Sequence, residues 1–571
     1  MASLTAKKIR GHTYYYAREC KRVNGKPKIV WQKYLGRAED IVAALAQTSP
    51  QPPTTQPTGA LVADFGAVVS LYDLAQRLHL VDCIDRHVPK RGPGPSVGTY
   101  LLVATLNRCV APCSKASIED WFQHTALRRW LDIRPEQLSS QRFWDNMDRV
   151  THEALERIEA ELVTYLVREF AVDVRRLLFD ATNFFTYIDS FNEHSTLAQR
   201  GKSKEGRAAL RIVGLALLVT TDFHLPLLHR TYPGNQHDAP TFSSLTQELI
   251  TRCQALTGDA ESVTLIFDKG NNSKENLQAI ADSRLHFIGS LVPTQHTDLL
   301  RTARSRFRSL QEEGLPGVRV FRTTQKVFGV SRTVLVVYNE ALFVAQAQTL
   351  LREIGKRQQR LRELQQRLDA WAHDRVPGGQ PPTLAGVRKK IDSWLKARHM
   401  KDLFRIDLTD PDGLPVLRYR FDAQAWQRLQ RTLLGKSLLF TDLADWSDAE
   451  LIRGYRSQAH IEQAFRTLKD PHHIALRPQY HWTDQKIEVH VFCCVLALML
   501  VSLLQRQLDR AGWRGSIVEI LDQLGRIRQV SMLYPPQGRS REPILHTTIS
   551  EMSERQRTLF AALGLDRYLT P

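Results

Sequence analysis

Short strand-like stretches of apolar and aromatic residues dominate the first forty residues. The stretches HTYYYAREC (12–20) and KPKIVWQKYLG (26–36) each predict a strand, and Asn24-Gly25 between them is typical of a hairpin turn. The next stretch, QTSPQPPTTQPTG, is rich in Pro, Thr and Gln, which favours an extended linker. The pattern therefore predicts a β-rich hairpin leader over 1–46 and a linker over 47–59.

Helical spacing of apolar residues dominates from 60 to 170. The stripe through this helical domain is clearest at Leu155, Ile158, Leu162 and Leu166. The same region places several arginines near tryptophans: Arg128, Arg129, Arg142, Arg149, Trp121, Trp130 and Trp144. A DNA-binding domain fits this composition, and a helical scaffold with a solvated basic face fits it equally well.

Strand-like and helix-like stretches alternate from 171 to 292. The apolar runs RRLLFDAT, LRIVGLALLVTT, LPLLHRTYPG, VTLIFDKG and LHFIGSLV predict strands, and TFSSLTQELITRCQAL and SKENLQAIADS predict helices. This order is typical of an α/β sheet, so we expect the fold class to be α/β.

The segment from 293 to 440 predicts an α+β insertion into that sheet. Two strand-like runs lead into a long helix whose apolar residues Ile354, Leu361 and Leu368 keep a heptad spacing. VPGGQPPT ends the helix and VRKKIDSWLKARHM returns as the second arm of a helical hairpin, which packs within the insertion or across a dimer. The α/β pattern resumes over 441–505, and 506–571 forms a C-terminal extension.

One predicted helix carries an unusual row of polar residues. Ser447 and Glu450 match a capping box at its start, and Asp470-Pro471 ends it, which gives about five turns. Tyr455, Glu462 and Lys469 lie seven residues apart, so a step of about 20° per heptad lines them up on one side. The row places a carboxylate between a phenol and an ammonium.

Two apolar runs end in the same dipeptide, Phe-Asp, at Asp180 and Asp268. If these buried strands are parallel neighbours, both carboxylates emerge at one edge of the sheet, where ligands bind in open α/β folds. With Glu462 they would supply the oxygen ligands of a two-metal site for phosphoryl transfer. The alternatives are that each Asp only caps a strand end and that Glu462 forms a salt bridge with Arg466, one turn further on.

Charge and composition narrow the class of partner. The 571 residues include 78 Lys and Arg against 60 Asp and Glu, a net charge of +18, which favours nucleic acid over an acidic membrane surface. The start, MASLTAKKIRGH, lacks the apolar core of a signal peptide, and the apolar run 489–504 is shorter than the roughly 20 residues of a membrane span. Seven cysteines without a CxxC pair indicate reduced thiols. We expect a cytoplasmic protein without a membrane partner.

The stretch YRSQAHIEQAFRTLK resembles the Tyr-Arg-Glu-Lys signature of bacterial insertion-sequence DDE transposases. Tyr455, Glu462 and Lys469 match that signature, whereas Gln458 stands where the family has Arg, so Arg456 or Arg466 would take over its phosphate contact. FDATNF, FDKGNNSKENL, RGKSKEGR and PGNQHD are similar to further family segments, and VNGKPK points to the sixteen-thirty-four-like branch of the insertion-sequence four superfamily. The resemblance covers about 170 to 505.

The resemblance implies an RNase H-like catalytic core, interrupted by the insertion, with Asp180, Asp268 and Glu462 as metal ligands. It implies Mg²⁺, with Mn²⁺ able to substitute, and a homo-oligomer of at least two chains that binds the terminal inverted repeats and target DNA and is nucleoid-associated when bound. The expected DNA-binding residues are Tyr455, Gln458, Arg466, Lys469, Lys269, Lys202, Lys204 and Arg207. RGKSKEGR (200–207) is otherwise read as a solvated loop.

The implied reaction is cleavage at the element ends followed by transfer of the freed 3′-hydroxyl into target DNA. Two rivals remain: a nuclease of the same fold that does not join DNA, and a domesticated DNA-binding protein with an inactive site. LLGKS (433–437) lacks the first glycine of a phosphate-binding loop, and the histidines after the row lack cysteine partners at zinc spacing, so neither motif predicts a site.

Overall fold

A computed structural model describes residues 2–9, 11–23, 26–47, 56–90, 92–207, 209–236, 238–257, 263–411, 413–477, 479–536 and 543–569. The chain forms two compact units. One comprises Met1–Ala63 and Arg528–Glu551, and the other comprises Asp64–Ile527 and Met552–Pro571.

The N-terminal region is a three-stranded antiparallel sheet followed by a helix. Its elements are β1 (Ala2–Ile9), β2 (His12–Val23), β3 (Lys26–Gly36) and α1 (Ala38–Gln47), with β2 in the centre. Both predicted strands are present, and β1 is an additional strand that sequence analysis missed. The turn at Asn24-Gly25 and most of the predicted linker lie outside the described residues, and β4 (Gly59–Asp64) follows.

The region predicted to be helical consists of helices joined by short loops. They are α2 (Gly66–Arg77), α3 (Leu80–His87), α4 (Val97–Val110), α5 (Ile118–Gln123), α6 (Ser140–Met147) and α7 (His152–Glu169). In α7 the predicted apolar stripe, Leu155, Ile158, Leu162 and Leu166, is buried. This stripe is what fixes α7 against the rest of its unit.

A ten-stranded sheet forms the centre of the second unit. Its first part contains β5 (Arg176–Phe185), β6 (Gln199–Arg200), β7 (Arg211–Thr220), β8 (Pro226–Pro233), α8 (Asp238–Thr257), β9 (Thr264–Phe267), α9 (Lys274–Asp282) and β10 (His286–Ser290). β5, β9 and β10 run parallel to one another, whereas β7 is antiparallel to both β5 and β8. The stretch Leu177–Phe179 of β5 and the stretch Leu265–Phe267 of β9 are apolar and buried because central strands of this kind are covered on both faces.

The sheet continues through the segment that the sequence assigned to the insertion. After α10 (Thr297–Leu300) come β11 (Arg308–Ser309), β12 (Val318–Val327) and β13 (Val330–Asn339). These strands extend the sheet in the order β11-β12-β13-β16-β10, in which β16 is Lys436–Thr441. The predicted boundaries of 293 and 440 are therefore too wide, because apolar strands at both ends of the segment pair with the main sheet rather than with each other alone.

The residues between β13 and β16 form the inserted domain. It contains α11 (Glu340–Ala372), α12 (Leu384–Leu395), α13 (Met400–Leu403), the hairpin β14 (Phe404–Thr409) and β15 (Val416–Phe421), and α14 (Ala423–Thr432). The heptad residues Ile354, Leu361 and Leu368 share a core with Val387 and Ile391 of α12. The long helix therefore packs within its own insertion, one of the two predicted arrangements.

The remaining elements complete both units. They are α15 (Asp448–Arg456), α16 (Gln458–Lys469), α17 (Asp484–Arg510), α18 (Ile517–Gly525), β17 (Arg528–Tyr534), β18 (Ile544–Ile549) and α19 (Glu554–Ala562). β17 lies between β18 and β4 in a small sheet. α17 is long and apolar enough to span a membrane, but 94% of its most apolar window is buried inside the protein, as in the core helix that the sequence predicts.

Candidate active site

Asp180 and Asp268 lie next to each other at the centre of the sheet. β5 and β9 are parallel neighbours, and their register pairs Phe179 with Phe267, so the two following aspartates occupy the same level. The predicted adjacency of the two Phe-Asp strands is confirmed. Asp180 is not at a strand end, however, because β5 continues to Phe185 by pairing with β7 after β9 has ended.

Asp268 is held by side chains from β10 and α15. Ser290 donates its hydroxyl hydrogen to Asp268 Oδ1 over 2.9 Å, and the Tyr455 hydroxyl donates to the same oxygen over 3.2 Å. Lys269 Nζ lies 3.9 Å from Oδ2, and 41% of the Asp268 side chain is exposed. One carboxylate oxygen is thus fixed by neutral donors, and the carboxylate as a whole stays open to solvent.

Tyr455 is surrounded by the negative charge of both aspartates. Burial of the ring raises the pKa of Tyr455, and the Asp268 and Asp180 carboxylates raise it further. The phenol therefore stays protonated and acts as a hydrogen-bond donor at neutral pH. Its electrostatic coupling to both carboxylates places Tyr455 at the junction of β5 and β9.

The helix that carries the polar row begins as predicted and is interrupted once. The Ser447 and Glu450 capping box is present at the start of α15. The prediction of one continuous helix is wrong, since α15 ends at Arg456 and α16 begins at Gln458. The Ser457 hydroxyl donates to the Gly454 carbonyl over 2.5 Å, a local bond that competes with the regular helical pattern.

Lys469 fixes the far end of α16 to β5. Its ammonium donates to Thr182 Oγ1 over 2.9 Å and to the Asn183 carbonyl over 2.7 Å, and it lies 3.1 Å from Glu205. Burial lowers the pKa of Lys469, while the Glu205 carboxylate opposes that shift. The side chain is only 14% exposed, so its ammonium already has protein partners in this structure.

These contacts place α16 over the strand face that carries Asp180. Side chains two residues apart on a strand point to the same face, so Asp180 and Thr182 share the face that Lys469 contacts. Glu462 precedes Lys469 by seven residues, about 10.5 Å along the helix, on the same side. Its carboxylate is exposed, and in the part of the chain that the structure describes no hydrogen bond or ion pair joins it to Arg466.

The segment 200–207 is a loop that is bonded to β5. The Lys204 ammonium donates to the Ala181 carbonyl over 2.6 Å, and the Lys204 backbone N–H donates to Asn183 Oδ1 over 2.9 Å. Glu205 connects this segment to α16. Its Oε1 lies 3.1 Å from Lys469 Nζ, and its Oε2 lies 3.1 Å from Arg477 Nε. The segment is a loop with exposed side chains at Lys202, Lys204 and Arg207, as the sequence suggests, but it is also bonded to β5. Glu205 is the residue that sequence analysis missed.

Comparison with known protein families identifies the family of the region that contains Asp180, Asp268 and Glu462. Residues 175–500 match the model of the "Transposase DDE domain". The chain belongs to this DDE transposase family.

Two other comparisons add little to the family assignment. No curated protein matches the chain in sequence. A solved piggyBac transposase synaptic complex with hairpin DNA aligns over 82% of this chain and 82% of its own, with 7% identity and a TM-score of 0.36. A likeness this distant carries no argument about the site of the DDE transposase described above.

The remaining predicted DNA contacts differ in accessibility. Exposed side chains belong to Lys202, Lys204, Arg207, Lys269 and Arg466, whereas Tyr455, Gln458 and Lys469 are partly buried. Of the two arginines that could replace the signature Arg, Arg456 donates to the Gly314 carbonyl over 3.3 Å. Arg466 instead lines a cleft of about 560 Å³ beside Lys204, Lys469 and Arg477.

The site offers the donor atoms that hard divalent cations prefer. DDE transposases use divalent metal ions, and the paired carboxylates of Asp180 and Asp268 supply oxygen ligands. Among the described residues, the three potential ligands that lie within 4.8 Å of one another are Cys83, His87 and Glu161 in the helical region. Asp180, Asp268 and Glu462 do not form such a group among the described residues.

Proposed function

We propose that this transposase cleaves DNA at the ends of its mobile element and joins the freed 3′-hydroxyl to target DNA, with Asp180, Asp268 and Glu462 as its catalytic carboxylates. The observation that carries the proposal is the register of β5 and β9, which sets Asp180 beside Asp268 within the region that matches the DDE domain. The central position of these two strands is what we expect of an RNase H-like core.

The proposed cofactor is a pair of Mg²⁺ ions, for which Mn²⁺ can substitute. Such ions activate the attacking oxygen and stabilise the leaving one during in-line phosphoryl transfer. The chain itself orients the ligands: Ser290 and Tyr455 hold one oxygen of Asp268 by hydrogen bonds. Lys469 positions α16, and therefore Glu462, over the face of β5 that bears Asp180.

The proposed path for DNA follows the cations that flank this face. Exposed Lys202, Lys204 and Arg207 lie on the segment bonded to β5, Lys269 adjoins Asp268, and Arg466 lines the cleft beside Lys469. These side chains would neutralise backbone phosphates, which positions DNA without reading its sequence. Gln458 would donate only a neutral hydrogen bond at the position where the signature has Arg. Tyr455 and Lys469, on either side of Glu462 in the helical row, would be the remaining DNA contacts.

The domain roles are proposed on the same basis. The helical region 60–170 would bind the inverted repeats, and at least two chains would assemble because two DNA ends must be joined together. A DNA substrate places the working protein in the cytoplasm, at the nucleoid when bound. The Tyr-Arg-Glu-Lys type and the sixteen-thirty-four-like branch remain proposals, supported by the positions of Tyr455, Glu462 and Lys469.

A strand-transfer assay tests the proposal. The full chain is incubated with Mg²⁺, a supercoiled plasmid and duplex element ends that carry a free 3′-hydroxyl. We expect joined products from the native chain and none from Asp180→Asn, Asp268→Asn or Glu462→Gln, each of which still binds end DNA. A matched control is Asp282→Asn, since that exposed carboxylate on α9 only accepts a hydrogen bond from Gln278.

The possible products of this assay separate the rival functions. Cleavage without joining would favour a nuclease of the same fold. Binding without cleavage by the native chain would favour a DNA-binding protein with an inactive site. Full joining by any of the three carboxylate variants would show that the substituted residue is not a catalytic carboxylate.

A further inference from the structure

A cysteine, a histidine and a glutamate that the proposed active site does not use converge between α3 and α7. Cys83 and His87 lie four residues apart on α3, so their side chains project from the same face of that helix. Glu161 lies on α7, and one donor atom from each of the three side chains lies within 4.8 Å of the other two. We call this group the α3–α7 cluster.

Each member of the cluster contacts the opposite helix. His87 Nε2 lies 2.7 Å from Glu161 Oε2. The Cys83 thiol donates to the Ile158 carbonyl over 3.7 Å, and Ile158 precedes Glu161 by about one turn of α7. The Arg86 guanidinium forms an ion pair with Oε1 of Glu161. These bonds hold the three side chains at a single contact between the two helices.

The cluster is buried at one end and open to solvent at the other. Cys83 is fully buried, whereas 22% of the His87 side chain and 21% of the Glu161 side chain are exposed. A partly exposed imidazole and carboxylate give a metal ion a path to the buried sulfur. Burial raises the pKa of the Cys83 thiol to about 11, so the free thiol is protonated and metal binding would release that proton to solvent.

We propose that the α3–α7 cluster is a Zn²⁺ site, with Cys83 Sγ, a ring nitrogen of His87 and a carboxylate oxygen of Glu161 as its protein ligands. Zn²⁺ binds all three of these donor types, whereas hard Mg²⁺ prefers oxygen alone. Tetrahedral Zn²⁺ with bonds of about 2.0–2.3 Å separates its ligand atoms by roughly 3.4–3.6 Å. The cluster reaches that geometry through side-chain shifts of about 1 Å, and water takes the fourth position.

The charges in the cluster balance when the ion is bound. A thiolate and a carboxylate together carry two negative charges, which match the two positive charges of Zn²⁺. Burial lowers the pKa of His87, and the charges of Arg157 and Arg86 lower it further, so its imidazole is neutral at pH 7 and offers a lone pair. The Arg86 side chain is 54% exposed, so it can turn into solvent when the metal takes its place beside Glu161.

A metal at this position would attach α3 to a helix that also contacts the catalytic sheet. Glu159, two residues before Glu161, accepts a hydrogen bond from the His229 backbone N–H of β8 over 2.9 Å. Two residues correspond to about 200° around a helix, so Glu159 faces β8 and Glu161 faces α3. Zn²⁺ would therefore stabilise the contact between the helical region and α7, which is a structural role.

Titration of the full, metal-free chain with Co²⁺ tests the site, with Zn²⁺ as the competitor and Mg²⁺ in excess throughout. A thiolate ligand gives bound Co²⁺ a charge-transfer absorption band that carboxylate ligands do not give. Since the proposed catalytic ligands are all carboxylates, the band reports the α3–α7 cluster whether or not the chain joins DNA. The variants are Cys83→Ser and His87→Gln. The matched controls are Cys113→Ser and His79→Gln, which alter the same residue types in the same region but outside the cluster.

We expect one equivalent of Co²⁺ per chain with a thiolate band, displaced by Zn²⁺ and not by Mg²⁺. Cys83→Ser should abolish the band, and His87→Gln should weaken Co²⁺ binding by at least about tenfold. Zn²⁺ should raise the melting temperature of the native chain and not that of His87→Gln, because a ligand that binds the folded state stabilises it. Both controls should behave like the native chain.

Three results would overturn the proposal: no thiolate band in the native chain, a band that survives in Cys83→Ser, or native Co²⁺ affinity in His87→Gln. Each would leave Arg86, His87 and Glu161 as a metal-free network that fastens α3 to α7. Because Cys83 is fully buried, its variant can lose stability, and His87→Gln decides the result if melting curves show that Cys83→Ser is unfolded.

Discussion

The hydroxyl of Tyr455 donates a hydrogen bond to Oδ1 of Asp268 over 3.2 Å, between residues 187 positions apart in the chain. This bond connects α15 to the carboxyl end of β9. Together with the Lys469 contacts to Thr182 and Asn183, it fixes the helical segment that carries Glu462 at two points over β5 and β9. The geometry of the proposed site therefore depends on side chains that are not themselves metal ligands.

Tyr455→Phe tests the positioning of Asp268. The variant keeps the ring and removes the donor, and a hydrogen bond to a charged group is worth about 1.5–3 kcal/mol. If that energy is needed to orient Asp268, cleavage of end DNA slows by about 10- to 100-fold. Single-turnover cleavage rates measure the effect. Tyr419→Phe, which removes a hydroxyl that donates to the Gln358 carbonyl in the inserted domain, is the control and should cleave normally.

Glu205→Gln tests the connection between the 200–207 segment and α16. The change removes the charge that faces both Lys469 and Arg477, each 3.1 Å away. Because Lys469 is largely buried, we expect a loss of about 1–2 kcal/mol of stability and a slower cleavage rate. Denaturant unfolding and cleavage assays report the two effects. The exposed Glu193 provides the control, and Glu193→Gln should change neither quantity. Unchanged stability and cleavage in Glu205→Gln would show that the connection is dispensable.

Glu159 gives the protein a predictable response to acid. Burial raises its pKa, but the charges of His229, Arg230 and Arg252 outweigh that effect and lower the pKa of Glu159 to about 2. A carboxyl with a depressed folded-state pKa stabilises the protein above its unfolded pKa of about 4.5, and this stabilisation is lost as pH falls from about 4.5 to 2.

Glu159→Gln should therefore cost about 3.5 kcal/mol at pH 7, since a pKa shift of about 2.5 is lost at roughly 1.4 kcal/mol per unit. The difference from the native protein should shrink progressively below pH 4.5. Unfolding by urea at several pH values measures both effects. Glu156→Gln, 42% exposed beside Arg230, is the control and should have a small effect at every pH. A constant difference between native and Glu159→Gln down to pH 2 would contradict the pKa assignment.

The parts of the site that follow local rules could be predicted from sequence. The two Phe-Asp runs identify buried strands because parallel central strands are apolar on both faces. Their adjacency remained a condition in the sequence analysis, since β7, β8 and α8 lie between β5 and β9 in the chain. Ser447 and Glu450 identify the start of α15 because the capping box is confined to four consecutive residues.

The parts that depend on distant residues could not be predicted. Glu205 is 264 positions from Lys469, and no periodicity identifies their ion pair. The insertion boundaries were misplaced because an apolar pattern such as that of β13 reveals burial but not the strand with which it pairs. The heptad row of Tyr455, Glu462 and Lys469 does not disclose the helix break at Ser457, whose hydroxyl donates to the Gly454 carbonyl.

The most direct test of the central claim, that Asp268 is a ligand of the catalytic metal, is cleavage of end DNA by Asp268→Cys with Mg²⁺ and with Mn²⁺. A thiolate is a poor ligand for hard Mg²⁺ and a better one for Mn²⁺. We predict no cleavage with Mg²⁺, measurable recovery with Mn²⁺, and no such recovery in Asp268→Ala. Cleavage by Asp268→Cys at the native rate with Mg²⁺, or equal cleavage by Asp268→Ala and the native chain, would contradict the assignment.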